Sequence, residues 1–211
     1  METKVQQLYS NQIENLIFDL GGVLLDIDYT ATLKALADLG VKNVEQMYTQ
    51  AAQTALFDRF DVGAISPGEF RAELRKLSAK NISDAQIDAA WCAMLGDFRK
   101  ETMHLLLQLK SRFRTFLYSN TNEIHVPVFE KMLAEQLGKK PEDYFERHYY
   151  SNQMGARKPN PEGFLRILHE NNLPAERTLF IDDTPGHIIG AQAVGLRTYH
   201  LAKGEKITDL F

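Results

Sequence analysis

The chain of 211 residues and 24.0 kDa is 44% hydrophobic, 25% charged and 10% aromatic, enough to bury a full core with one further lobe. Its 24 Lys+Arg against 28 Asp+Glu give a net charge of -4 and a pI near 5.9, which leaves no positive excess for a nucleic-acid backbone or an anionic membrane. No apolar run approaches the roughly 20 residues of a bilayer span and METKVQQLYSNQIEN lacks the apolar stretch of a signal peptide, so a cytoplasmic protein is expected, with no nucleic-acid or membrane partner.

In chain order, Leu16-Ile17-Phe18 predicts a buried strand running into the glycine turn Asp19-Leu20-Gly21-Gly22. From Asp28 to Asp97 the pattern is helical throughout. Leu33, Leu36 and Ala37 share a face that stops at Gly40, and Val44, Met47, Tyr48 and Ala51 predict a second helix. Ser66-Pro67-Gly68-Glu69 and Ser83-Asp84-Ala85-Gln86 are capping boxes, opening helices that carry Phe70, Leu74 and Leu77, then Ile87, Ala90, Trp91 and Met94. Beyond a Leu-rich helix the chain alternates: strand 114–118, helix 124–137, a short strand 148–150, a helix from Asn160-Pro161, strand 178–181, a helix closed by Gly195 and a last strand 196–200. KGEKITDLF reads as a final strand-to-tail segment. Strands separated by helices imply parallel pairing, so the expected fold is α/β: a doubly wound parallel sheet of residues 1–27 and 98–211, with an all-helical cap inserted at 28–97.

In such a sheet, ligands bind outside the carboxyl ends of the strands. Those ends carry Asp19, Ser119-Asn120 and Asp182-Asp183, with Lys158 in a loop between the second and third. A carboxylate can attack phosphorus and form an aspartyl-phosphate, provided the charge on the transferring group is offset. Magnesium held by Asp19 and the Asp182-Asp183 pair would offset it, while Ser119, the Asn120 backbone N–H and Lys158 would hold the other phosphate oxygens.

The four segments FDLGGVL (18–24), LYSNTN (117–122), ARKPNP (156–161) and FIDDTPGHIIGA (180–191), in this order, resemble the haloacid dehalogenase-like (HAD) superfamily of phosphohydrolases. The resemblance covers residues 10–26 and 98–211. It implies that Asp19 is the nucleophile, that Ser119 and Lys158 bind phosphate, that Asp183 is a magnesium ligand with Asp182 supporting or sharing the ligation, and that the Gly21 carbonyl is a further ligand. One departure stands out: most phosphatases of the superfamily carry an acid/base aspartate two residues after the nucleophile, where this chain has Gly21. The DLGGVLLDID segment is similar to sugar phosphatases, notably α-glucose-1-phosphate phosphatases. An anomeric hydroxyl is a better leaving group than an ordinary alcohol and depends less on an acid. Water, the ion, Asp26 or His125 remain open as its replacement.

Taken singly, Asp19 reads as a turn aspartate, Ser119 and Asp182-Asp183 as caps and Lys158 as a solvated loop charge; their common place at strand ends favours the site. His125, His187 and His200 read as structural, Cys92 as a small apolar filler, and Lys110, Arg112 and Arg114 as a solvated helix end; Phe57, Phe60 and Trp91 could close over a substrate but at helical spacing read as core, while Arg59 is left open. The expected function is magnesium-dependent hydrolysis of a small-molecule phosphate ester, a sugar phosphate such as glucose 1-phosphate. The alternatives are a metal-free 2-haloacid dehalogenase and a non-catalytic phospholigand-binding protein. No oligomeric state is read from the sequence.

Overall fold

A computed structural model describes residues 3–9, 12–44 and 55–211. In chain order the described elements are α1 (Lys4–Tyr9), β1 (Asn15–Phe18), β2 (Leu25–Ile27), α2 (Tyr29–Asp38), α3 (Ala55–Asp61), α4 (Pro67–Leu77), α5 (Asp84–Cys92), β3 (Leu95–Phe98), α6 (Lys100–Leu109), β4 (Arg114–Ser119), α7 (His125–Leu137), α8 (Pro141–Tyr144), β5 (Arg147–Tyr150), α9 (Ser151–Met154), α10 (Pro161–Asn171), β6 (Thr178–Asp182), α11 (Pro185–Ala193) and β7 (Arg197–His200).

Five strands form a parallel sheet in the order β5-β4-β1-β6-β7. Alternate residues of the central strands face opposite ways, and both faces are apolar. Leu16, Phe18, Leu117, Leu179 and Ile181 enter one core layer with Met103, Leu106 and Phe129, whereas Ile17, Phe116, Tyr118 and Phe180 enter the other with Phe164, Ile167 and Ala191. This two-sided burial is why the strands read as continuous apolar runs. The register sets the site: Phe18 lies level with Ile181 and with Leu117, so Asp19 and Asp182, one residue further on, and Ser119, two residues further on at the end of β4, emerge together at the carboxyl edge.

Between β1 and β4 the helices α2 to α5 enclose a separate apolar core of Leu36, Phe57, Phe60, Phe70, Leu74, Ile87, Trp91 and Met94. Phe60 stacks on Phe70 and Phe57 on Trp91, which places Phe57, Phe60 and Trp91 in this core, and Arg59 stays exposed. Both capping boxes form, Ser66 with Glu69 and Ser83 with Gln86. Of the helix expected after Asn43, Met47, Tyr48 and Ala51 lie outside the described residues, and Val44 is buried.

The helical reading fails at the far end of this stretch. Leu95–Phe98 is a strand paired antiparallel with Leu25–Ile27, a ribbon that joins the helical lobe to the sheet domain. Its Gly96 backbone passes so close to Asp26 that a Cβ would lie 2.9 Å from the Asp26 carbonyl oxygen, a close approach that favours glycine and that no periodicity announces. The tail is no strand either: Ile207–Asp209 form a 3-10 turn that buries Ile207 and Leu210 against α1 and α6. Asn160 occupies the N-cap position of α10 without a side-chain cap bond.

Candidate active site

At the carboxyl edge of the sheet a cavity is lined by Asp19, Gly21, Ser119, Asn120 and Asp183, joined by Tyr29, Asp61, Asn122, His125, Arg157, Thr184 and His187. Lys158 and Asp182 back this wall from below, both with 0% exposure. Five of the expected site residues thus share one cavity and the other two support it.

Lys158 Nζ bridges two carboxylates, 2.7 Å from Asp19 Oδ1 and 2.7 Å from Asp182 Oδ2. Burial alone would lower the pKa of this ammonium, but its two anionic neighbours outweigh burial and raise it. Asp182 is held below the usual carboxylate range: desolvation opposes its charge, yet Lys158 and His187, whose Nδ1 lies 3.0 Å from Oδ2, prevail. Asp19 shifts the other way. Burial, with Asp182 and Asp183 nearby, raises its pKa despite Lys158, and its Oδ1 accepts the Leu20 N–H at 2.7 Å. Burial and Asp182 likewise raise Asp183.

The loops lock these groups in place. Asn120 clamps the Lys158 main chain from both sides, its Nδ2 donating to the Lys158 carbonyl and its Oδ1 accepting the Lys158 N–H, each at 2.9 Å. Asp182 Oδ1 accepts the Thr184 N–H at 2.8 Å, which shapes the turn into α11. Gly22 has φ +71, and a Cβ there would lie 2.1 Å from Asp183 Oδ2, so only glycine brings the Gly21-Gly22 turn against this carboxylate.

The two neighbours considered as replacement acids part company. Asp26 lies outside the cavity, ion-paired with Arg99 at 2.7 Å. His125 lines the cavity, but its Nε2 bonds the Trp91 carbonyl at 3.0 Å, its Nδ1 meets Asn122 Nδ2 at 3.4 Å, and its ring stacks on Trp91. Burial lowers its pKa to about 4, so it stays neutral and acts structurally. Elsewhere, burial raises the Cys92 thiol to about 12, in keeping with an inert filler. His200 bonds the Asp183 carbonyl, and Lys110 and Arg114 pair with the 142–146 segment rather than standing free.

Sequence reasoning missed Tyr29, Asp61, Asn122 and Arg157 and set His187 aside. Asn122 had a signal, being the last residue of LYSNTN. Asp61 and Tyr29 sit on helices of the inserted lobe, where only folding reveals what faces the sheet.

The chain matches a model of the haloacid dehalogenase-like hydrolases over residues 13–195. It belongs to this family. It is 28% identical over 192 residues to a D-ribitol-5-phosphate phosphatase of Bacteroides thetaiotaomicron, covering 91% of this chain and 93% of that one. Among solved structures, a HAD family enzyme of Bacteroides thetaiotaomicron in complex with magnesium and inorganic phosphate superposes with a TM-score of 0.87 at 36% identity, covering 94% of this chain and 99% of that one. A predicted HAD-like family hydrolase of Porphyromonas gingivalis gives 0.83 at 32%, covering 92% and 93%. No helix among the described residues is long and apolar enough to cross a membrane.

Proposed function

We propose that this protein, a magnesium-dependent phosphoric monoester hydrolase of the HAD-like family, acts on the phosphate ester of a small sugar or polyol through an aspartyl-phosphate on Asp19. The observation that carries the reading is the convergence of Asp19, Asp182 and Asp183 at one sheet edge, with Lys158 bridging the first two.

The donor chemistry fits magnesium. Three carboxylates lie together with Lys158 between two of them, and burial first, then the neighbouring aspartates, raises the pKa of Asp19 and of Asp183, a penalty on their charge that a bound cation would offset. Asp19, Asp182 and His187 also offer donor atoms within 4.8 Å of one another. Magnesium prefers oxygen to imidazole nitrogen, however, and Asp182 is already engaged by Lys158 and His187. We therefore assign the ion to Asp19, the Gly21 carbonyl and Asp183, with Asp182 in support. When bound, it neutralises charge on the nucleophile and on the transferring group.

In this scheme Asp19 attacks phosphorus, a bond forms from its carboxylate oxygen, and the ester P–O bond breaks as the leaving alkoxide takes a proton from water, the hydroxide left behind being consumed when the acyl phosphate is hydrolysed. Water then cleaves the acyl phosphate and restores Asp19. Lys158 holds Asp19 oriented, and Ser119 with the Asn120 N–H meets the phosphate oxygens. With Gly21 in the acid's usual place and His125 held neutral, a leaving group of low basicity such as an anomeric hydroxyl suits the site, and glucose 1-phosphate is one candidate; ribitol 5-phosphate is the other, by the relative's activity.

The test is phosphate release from a panel including both esters, with magnesium and with chelator. Magnesium-dependent release favouring a hydroxylated ester supports the reading. A lower KM for aryl phosphates than for both hydroxylated esters refutes the substrate class, and dehalogenation of haloacids in chelator refutes the reaction.

A further inference from the structure

The wall of the cavity is mixed. Ile27, Met94 and Leu95 make part of it apolar, and Asp61, Asn122 and Arg157 make part of it polar. Asp61 closes α3 on the inserted lobe, only 6% exposed although it carries a carboxylate. A carboxylate in such a place is costly unless it is held and used. It is held from the sheet domain: Asn122 Nδ2 donates to Oδ1 at 3.2 Å, Arg157 Nη2 stands 3.9 Å from Oδ2, and Ser151 Oγ donates to the Asp61 carbonyl at 2.6 Å. Asn122 is fixed in turn, its Oδ1 accepting from Trp91 Nε1 and from the Ile124 and His125 N–H groups. The anchor thus begins two residues beyond Asn120 and ends on a carboxylate facing the same cavity as Asp19.

We propose that Asp61 is a specificity-determining residue: it accepts hydrogen bonds from hydroxyl groups of the leaving moiety and disfavours esters that carry a second anionic group. The inference rests on the sugar or polyol phosphate reading and deepens it. An anionic acceptor gains from donors it meets in the cavity, repels a second phosphate or carboxylate, and gains nothing from an aryl ring. The apolar residues accept the C–H faces of the same carbon chain.

The experiment compares wild type with Asp61→Asn and Asp61→Glu on ribitol 5-phosphate, glucose 1-phosphate, p-nitrophenyl phosphate and fructose 1,6-bisphosphate, with thermal melting as a check on folding. In wild type the hydroxylated monophosphates are favoured over the bisphosphate in kcat/KM and over p-nitrophenyl phosphate, whose leaving group is the less basic, in KM. In Asp61→Asn the ratio of kcat/KM for the favoured monophosphate over p-nitrophenyl phosphate is expected to fall about 10- to 100-fold, chiefly through KM, while the bisphosphate improves relative to the monophosphate. A merely structural role would lower all substrates together and leave the ratio unchanged, which overturns the inference. Should Asp61→Asn fail to fold, Asp61→Glu, which keeps the charge but displaces it, is read by the same ratio. A wild type without preference for hydroxylated esters defeats the substrate reading and this inference with it; a preference that survives in both variants defeats the inference alone.

Discussion

Replacing Gly22 with alanine separates backbone strain from displacement of a carboxylate. Gly22 has φ +71, where a non-glycine residue costs about 1–2 kcal/mol. In a chain of this size that corresponds to a fall of roughly 2–8 °C in Tm. The new Cβ would also stand 2.1 Å from Asp183 Oδ2, so the carboxylate must retreat by at least about 1.3 Å to reach ordinary contact. A misplacement of that size in a reacting assembly costs on the order of 100-fold in rate. Gly138 supplies the control: it ends α7 with φ +63 and nothing lies within 4 Å of its Cβ position. Gly138→Ala should therefore lose similar stability with full activity. Gly22→Ala should lose activity as well and need more magnesium for half-maximal rate. Calorimetry and magnesium titrations of phosphate release measure both effects. Equal activity in the two variants would refute the reasoning.

Two further outcomes concern the groups considered as acids. His125 is held neutral by burial with a pKa of about 4, so its contribution to stability is complete above the unfolded value near 6.5, is lost as pH falls, and levels off below about 4. Between pH 7 and pH 5 this amounts to roughly 2 kcal/mol, and His125→Phe, which keeps a ring against Trp91, should flatten the pH dependence of urea unfolding by that amount; an unchanged slope contradicts it. Asp26 is exposed and paired with Arg99, so Asp26→Asn should keep kcat within about threefold; a fall near 100-fold would make it the missing acid.

Much of this architecture is legible in the sequence because the sheet is buried on both faces: LIF, RTFLY and TLFI announce themselves as apolar runs, and the residue after each must lie at the ligand-binding edge. The capping boxes are legible because they are local, each closed within three residues. The β2–β3 ribbon is not, since its strands are three and four residues long and pair across the whole inserted lobe. Nor is Asp61, whose place in the cavity depends on Asn122, sixty-one residues away. Asn120 shows a different limit: its position marks it for the site, but its side chain also fastens Lys158, a contact that spacing does not foretell.

The central claim is phosphoryl transfer to Asp19, and the most direct measurement is rapid quench of the magnesium-loaded enzyme with a favoured ester labelled in its phosphate, followed by peptide mapping. Label in the peptide containing Asp19 during turnover, and neither label nor phosphate release in Asp19→Asn, is the expected result. Undiminished phosphate release by Asp19→Asn, or label on another residue, would contradict the account.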